Sequence, residues 1–290
     1  MKNLQVLFLC LSAIVLAACS NEEMPGASKS ELNVISSIAP MKRAPQLDES
    51  GAGSFKTGDK NTLFFQSAEG SHLLTFDYTY GEKYYWMDLE LPKETETCKI
   101  SACYPSVTTG TPATFAWDVI KEKSNSDFLF ATPVLAQTNS SSPVRLTFSH
   151  AMHKLAVELI ADGTSVSAEE LAIAELSCNN FKPTANLNLL EGKAVSASGS
   201  LAKLDAKGAK SSFIIPAQPT GTMEIAVKLG DRTATYKLSS CQVKGQPLTE
   251  LLSGQSFTLK IRVSKNSFTI VGQDISGWGN QGEFEDSIII

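Results

Sequence analysis

Residues 144–159 read VRLTFSHAMHKLAVEL, and their alternation sets the expected fold class. Val144, Leu146 and Phe148 alternate with Arg145 and Thr147, and Leu155, Val157 and Leu159 then alternate with Lys154 and Glu158. Period two places successive side chains on opposite faces of a strand. A strand with one apolar and one polar face belongs to an antiparallel sheet that is wet on one side. The same period returns in TMEIAVKL (222–229) and TATYKL (233–238), which flank Gly230-Asp231-Arg232 and read as a β-hairpin. SFTLKIRV (256–263) sets Phe257, Leu259, Ile261 and Val263 against Thr258, Lys260 and Arg262. Many short strands separated by Gly, Pro and Asn turns predict an all-β protein built as β-sandwiches. Only SAEELAIAEL (167–176) has the composition of a helix, and its length leaves that open.

The other end of the chain carries a different signal. Met1-Lys2-Asn3 is a small positive region, and an apolar run follows from Leu4 to Ala18. That run is short for a bilayer span, which needs roughly 20 apolar residues. Its length and flanks predict a signal peptide over residues 1–18. Leu16-Ala17-Ala18-Cys19 resembles a bacterial lipobox, which makes Cys19 the expected site of acylation, by chains such as palmitate, and the first mature residue. Each buried CH₂ contributes about 0.8 kcal/mol, so several acyl chains anchor firmly. Ser20-Asn21-Glu22-Glu23 resembles the acidic surface-export signal of Bacteroides-type lipoproteins. An outer-membrane lipoprotein at the cell surface is the expectation.

Length and charge bound the rest. The chain has 290 residues and a net charge of −5; losing residues 1–18 removes one lysine and leaves −6. No lysine or arginine cluster exceeds two, which speaks against a nucleic-acid footprint. About 270 mature residues suggest two domains. The expected division is a tether over 19–54, an N-terminal sandwich over 55–162 and a C-terminal sandwich and tail over 163–290, joined near Ala161-Asp162-Gly163. Within the Ser/Pro/Gly-rich tether, Leu32, Val34, Ser36 and Ile38 keep a strand-like alternation. Cys98, Cys103, Cys178 and Cys241 match neither a zinc pattern nor a compact disulfide framework; buried thiols and a single disulfide both stay open.

Chemistry is sparse. His150 and His153 lie three apart in a strand-like context, where i and i+3 face opposite ways, so both read as structural, and His72 stands alone. Glu22-Glu23 and Glu169-Glu170 sit in polar segments without the apolar surroundings that raise a carboxyl pKa. GxSxG, HExxH, P-loop and GxGxxG motifs are absent. Tyr84-Tyr85-Trp86 and Gly277-Trp278-Gly279 offer either sugar-stacking surfaces or core. The expectation is a non-enzyme without metal or cofactor.

Six stretches, in this order, resemble the fimbrillin-like family of Bacteroides-type bacteria: FKTGDKNTLFF (55–65), ACYPSV (102–107), SDFLFA (126–131), VRLTFSHAMHKLAVEL (144–159), SFIIPAQ (212–218) and ISGWG (275–279). The resemblance implies two tandem transthyretin-like antiparallel β-sandwich domains in a subunit of a type V pilus. It implies that an arginine-directed protease cuts between Arg43 and Ala44, that the strand at 32–38 leaves, and that a neighbouring subunit's strand enters the groove. Such strand addition draws affinity from backbone hydrogen bonds and register from alternate side-chain pockets. Stalk, tip, accessory and anchor roles all stay open, and an anchor keeps its lipid uncut. Asp286-Ser287-Ile288 resembles an O-glycosylation site, with Ser287 as the acceptor. The expected partners are other pilus subunits, the outer membrane through the lipid, the processing protease, and host or bacterial surface ligands. A second reading is a monomeric surface lipoprotein that binds glycans or host ligands through exposed aromatic residues.

Overall fold

Each alternating stretch contributes a strand in the computed structural model, which describes residues 30–38, 55–122 and 127–278. The first strands are β1 (Val34–Ile38), β2 (Lys60–Gln66), β3 (His72–Thr79), β4 (Thr97–Tyr104), β5 (Phe115–Asp118), β6 (Leu129–Gln137) and β7 (Val144–His150). Next come β8 (Met152–Ala161), helix α1 (Ala168–Leu171), β9 (Glu175–Phe181), β10 (Thr184–Asn188), β11 (Lys193–Ser198) and β12 (Ala202–Lys207). They are followed by β13 (Lys210–Pro216), β14 (Gln218–Pro219), β15 (Glu224–Leu229) and β16 (Arg232–Lys237). The last are β17 (Gln242–Val243), β18 (Gln246–Pro247), β19 (Glu250–Leu251), β20 (Gln255–Val263) and β21 (Phe268–Gly277). The all-β expectation holds. The doubtful helix is one turn: Ser167 and Glu170 cap each other reciprocally, and the remainder of SAEELAIAEL enters β9.

One six-stranded sheet has the order β1-β7-β6-β4-β2-β3. Two four-stranded sheets, β12-β9-β15-β16 and β13-β8-β20-β21, line a common core. Leu155, Phe213, Phe257 and Ile261 come from the second of these sheets and Leu176, Ile225 and Val227 from the first. The expected hairpin at 229–232 is present with Gly230-Asp231 as its turn, Arg232 pairing with Leu229. Gly230 takes φ +60°, which costs glycine little. Most ladders are antiparallel; β1–β7 and β8–β20 run parallel. Parallel neighbours need long connections, and both pairs are joined through other strands.

The quoted stretch is where the chain changes sheets. β7 ends at His150, Ala151 is fully buried, and β8 begins at Met152. β8 lies before residue 162, yet it pairs with β13 and β20 beyond it. Conversely, β5 pairs with β10, and β10 with β11, in a three-stranded sheet spanning residues 115–198. At Asp162 the chain turns, with the carboxylate accepting from the N–H groups of Thr164, Ser165 and Val166. The β10–β11 hairpin packs on the six-stranded sheet: Gln66 Nε2 donates to the Leu190 carbonyl at 2.8 Å. A Cβ on Gly192 would meet the Ala131 carbonyl oxygen at 2.6 Å, so only glycine fits there.

β2 is buried from Asn61 to Gln66 because both of its faces are covered. Leu63 and Phe65 join one core with Ile100, Ala102 and Leu146; Phe64 joins the other with Cys103, Phe128 and Trp117. All four described cysteines are free and buried. Burial pushes the Cys98 and Cys241 thiols up to about 11, so they are inert at neutral pH.

His153 is fully buried, and its Nδ1 lies 2.9 Å from the Leu252 carbonyl. Burial pushes its pKa down to about 4, against a smaller opposing effect of that carbonyl. Between pH 6.5 and 4 the unfolded chain therefore takes up a proton that the folded one refuses, and stability falls with pH. At 1.36 kcal/mol per pKa unit the loss approaches about 3 kcal/mol. Urea titrations should show His153→Leu losing less stability than the parent between pH 7 and 4.5. Equal losses would assign the pH dependence to other groups.

Candidate functional site

The segment 30–38 is held between two parts of the six-stranded sheet's surroundings. On one side β1 runs parallel to β7, with Val34 opposite Val144 and Ile38 opposite Phe148. Ahead of it, Leu32 N–H donates to the Tyr84 carbonyl at 2.8 Å, and Trp86 N–H to the Ser30 carbonyl at 3.0 Å. The alternation read from sequence is the alternation of burial. Leu32, Val34 and Ser36 are 2%, 6% and 9% exposed, whereas Ile35 is 39% exposed.

Beneath the segment, Leu32 and Val34 join a core with Phe65, Trp86, Leu146 and Phe148. Burying a side chain of this size contributes about 1.5–3 kcal/mol. Trp86 is buried edge-on to Phe65, and its indole N–H donates to the Ser140 carbonyl at 3.0 Å. The Lys83–Glu31 ion pair, at 3.9 Å and exposed, adds little.

One position fits poorly. Ser36 N–H donates to the Tyr80 hydroxyl at 3.2 Å, but its buried Oγ has no partner. A buried hydroxyl without a hydrogen bond costs about 1–3 kcal/mol. The seated strand is therefore held by two good side chains and weakened by a third.

Both ends of the connection from β1 to β2 meet at one residue. Ile38 pairs with Phe148, and the Phe55 ring lies 4.8 Å from the Phe148 ring. Ile38 and Phe55, the described residues that flank 39–54 with its Arg43 and Ala44, therefore both lie beside Phe148. Arg43, Ala44, Cys19, Ser287 and the segment 1–18 lie outside the described residues.

The other sequence candidates have ordinary structural partners. His150 Nδ1 lies 2.9 Å from Asp127, and its ring stacks on Trp278 at 4.1 Å. Trp86 and Trp278 are both buried, so neither offers an open stacking face. Tyr80 and Phe55 were not singled out from sequence, because their contacts to the strand segment and to β7 span many tens of residues.

A family model described as fimbrillin-like matches residues 48–278. This chain belongs to the fimbrillin-like family. No curated protein matches its sequence significantly. Solved structures share the fold of this fimbrillin-like chain at low identity. A candidate cell adhesion protein from Bacteroides uniformis aligns with TM-score 0.68 and 18% identity, over 88% of this chain and 99% of that one. A fimbrilin from Porphyromonas gingivalis aligns with TM-score 0.53 and 8% identity, over 89% and 100% of the two chains. A fimbrial assembly protein from Parabacteroides distasonis gives TM-score 0.50 and 11% identity, over 86% and 96%.

Proposed function

We propose that this fimbrillin-like chain is a structural subunit of a cell-surface pilus, exported as a lipoprotein on Cys19 and assembled by β-strand exchange. The observation that carries the reading is the seating of β1. It is an edge strand whose inward side chains are buried and whose removal leaves the rest of the six-stranded sheet in order β7-β6-β4-β2-β3. Vacating it would expose the Leu32 and Val34 sites together with an unpaired edge of β7, which favours capture of another strand.

The connection at 39–54 supports processing at Arg43. While that connection is intact, β1 is covalently continuous with the sheet it pairs with, and its effective concentration at the groove is high. A cut between Arg43 and Ala44 turns reseating into a bimolecular event, and a five-residue strand with an unpaired buried hydroxyl holds poorly alone. The partners are then neighbouring subunits, the processing protease and the outer membrane. A lipid-retaining anchor is the same molecule left uncut. Of the aromatic residues behind the monomeric glycan-binding reading, Trp86 and Trp278 are buried, whereas Tyr84 and Tyr85 are partly exposed.

Arg43→Ala should leave a lipidated monomer that starts at Cys19 and does not form multimers in unheated surface fractions. Cys19→Ala should release the protein from membranes or stall it as precursor. Polymerisation of Arg43→Ala at the parental level would overturn the strand-removal mechanism.

A further inference from the structure

The two faces of the six-stranded sheet are covered differently. One packs on the rest of the fold through Phe64, Cys103 and Phe130. The other is a floor of Leu63, Phe65, Cys98, Ile100 and Leu146, and an apolar sheet face must be covered. Among the described residues, the buried members of that core outside the six strands are Leu32, Phe55, Trp86 and Leu89. Short pieces of chain, rather than a second sheet, close it.

Trp86 and Leu89 belong to the connection 80–96 between β3 and β4, whose regular structure is one 3₁₀ turn at Trp86–Asp88. Irregular connections longer than about 12–15 residues are usually functional elements such as lids. Both ends of this one are fixed. Tyr80 N–H donates to the Asp59 carbonyl at 2.8 Å, and Thr138 N–H to the Glu96 carbonyl at 2.9 Å. Its middle is clasped by the residues ahead of β1. Leu32 N–H donates to the Tyr84 carbonyl, Trp86 N–H donates to the Ser30 carbonyl, and Glu31 faces Tyr85 in an antiparallel bridge. The segment 30–38 therefore pairs with β7 through residues 34–38 and with the connection through residues 30–32.

Elements that share hydrogen bonds and a core stabilise each other, and the coupling is reciprocal. Departure of 30–32 would take the acceptor from the Trp86 amide and an apolar neighbour, Leu32, from the same core. An N–H left unpaired in a buried residue is unfavourable, so the middle of the connection gains by lifting toward water.

We infer that the connection 80–96 is a lid latched by residues 30–32, closed over the sheet while that segment is seated and open once it leaves. Opening uncovers Phe65, Ile100 and Leu146 in addition to the site that β1 vacates. The inference rests on the seating of β1 used in the strand-exchange reading and deepens it, but the latch is a property of the isolated monomer.

Buried thiols in the purified full chain supply a readout. Cys98 belongs to the core that the lid closes, and Cys178, in the other core, is the control. Iodoacetamide labelling located by mass spectrometry, hydrogen exchange at the Trp86 amide and proteolysis of 30–38 are followed together. In Val34→Asp, Cys98 labelling and Trp86 exchange should both quicken at least tenfold while Cys178 keeps its parental rate. In Ser36→Ala both should slow. Release of 30–38 with Cys98 and Trp86 unchanged would overturn the latch and leave strand release intact. Protected 30–38 in Val34→Asp would overturn the seating, and the latch with it. Equal acceleration at Cys98 and Cys178 would be general unfolding and would also overturn it. Leu89→Ala, a change in the lid alone, should speed proteolysis of 30–38; a parental rate would deny the reciprocal coupling. A chain that passes these tests yet forms no multimers would count against the pilus reading alone.

Discussion

Val34→Asp is expected to unseat β1 and to expose residues 30–38 to proteases, while the remainder of the protein stays folded. Val34 is 6% exposed and lies opposite Val144 in the parallel ladder. A carboxylate there is buried among Leu32, Phe148 and Leu146, with no cation in that core to meet it. The substitution loses the burial of a valine, about 1.5–3 kcal/mol, and adds several kcal/mol for desolvating an unpaired charge. A five-residue edge strand has no comparable reserve. Ser36→Ala should act in the opposite sense, because it removes a hydroxyl that has no partner. Its expected gain is about 1 kcal/mol, read as slower strand release and greater protease resistance. If both variants leave the proteolysis of 30–38 unchanged, the segment is not seated as described. If Ser36→Ala also slows exchange into multimers, the imperfect fit is what keeps the strand replaceable.

The second large effect is expected at Phe64. Its ring is fully buried on the face of β2 that meets Phe128, Trp117 and the strands beyond residue 150. Phe64→Ala should cost about 3–5 kcal/mol, the range for removing a buried aromatic ring. The core it enters runs without a break from the six-stranded sheet into the paired four-stranded sheets. The β5–β10 ladder adds backbone hydrogen bonds across the same boundary. Denaturant unfolding followed by Trp86 and Trp117 fluorescence, and by exchange of β20 amides, should therefore shift together in the variant. A transition that moves for β2 and β4 while β20 keeps its parental midpoint would show two independently unfolding sandwiches, divided as the sequence suggested.

Much of the fold was legible because period-two alternation is a local property. VRLTF, TMEIAVKL and SFTLKIRV each declare which side chains point inward, and in the structure Phe148, Ile225, Phe257 and Leu259 do so. The same rule found Leu32, Val34 and Ser36 inside a segment whose composition otherwise reads as tether. Burial of Trp86 and Trp278 also follows the ordinary behaviour of aromatic residues in β proteins. The fit of Ser36, by contrast, depends on Tyr80, whose hydroxyl takes the Ser36 N–H and leaves its Oγ unpaired. Nothing local to residue 36 announces that contact.

By itself the sequence determined that this chain is all-β, where its clearly alternating strands lie, which side chains those strands bury and that it belongs with the fimbrillin-like proteins. Those properties rest on side-chain alternation and short motifs, which act over a few residues. Only the tertiary structure decided which strands are neighbours: β1 beside β7, β8 beside β20, and β5 beside β10. Each of these pairs joins residues far apart in the chain, and many registers would satisfy the same alternation. The choice among them is made by shape and burial in a shared core, at contacts such as Phe55 on Phe148 and Phe128 on Trp117. Those contacts exist only once the sheets have packed.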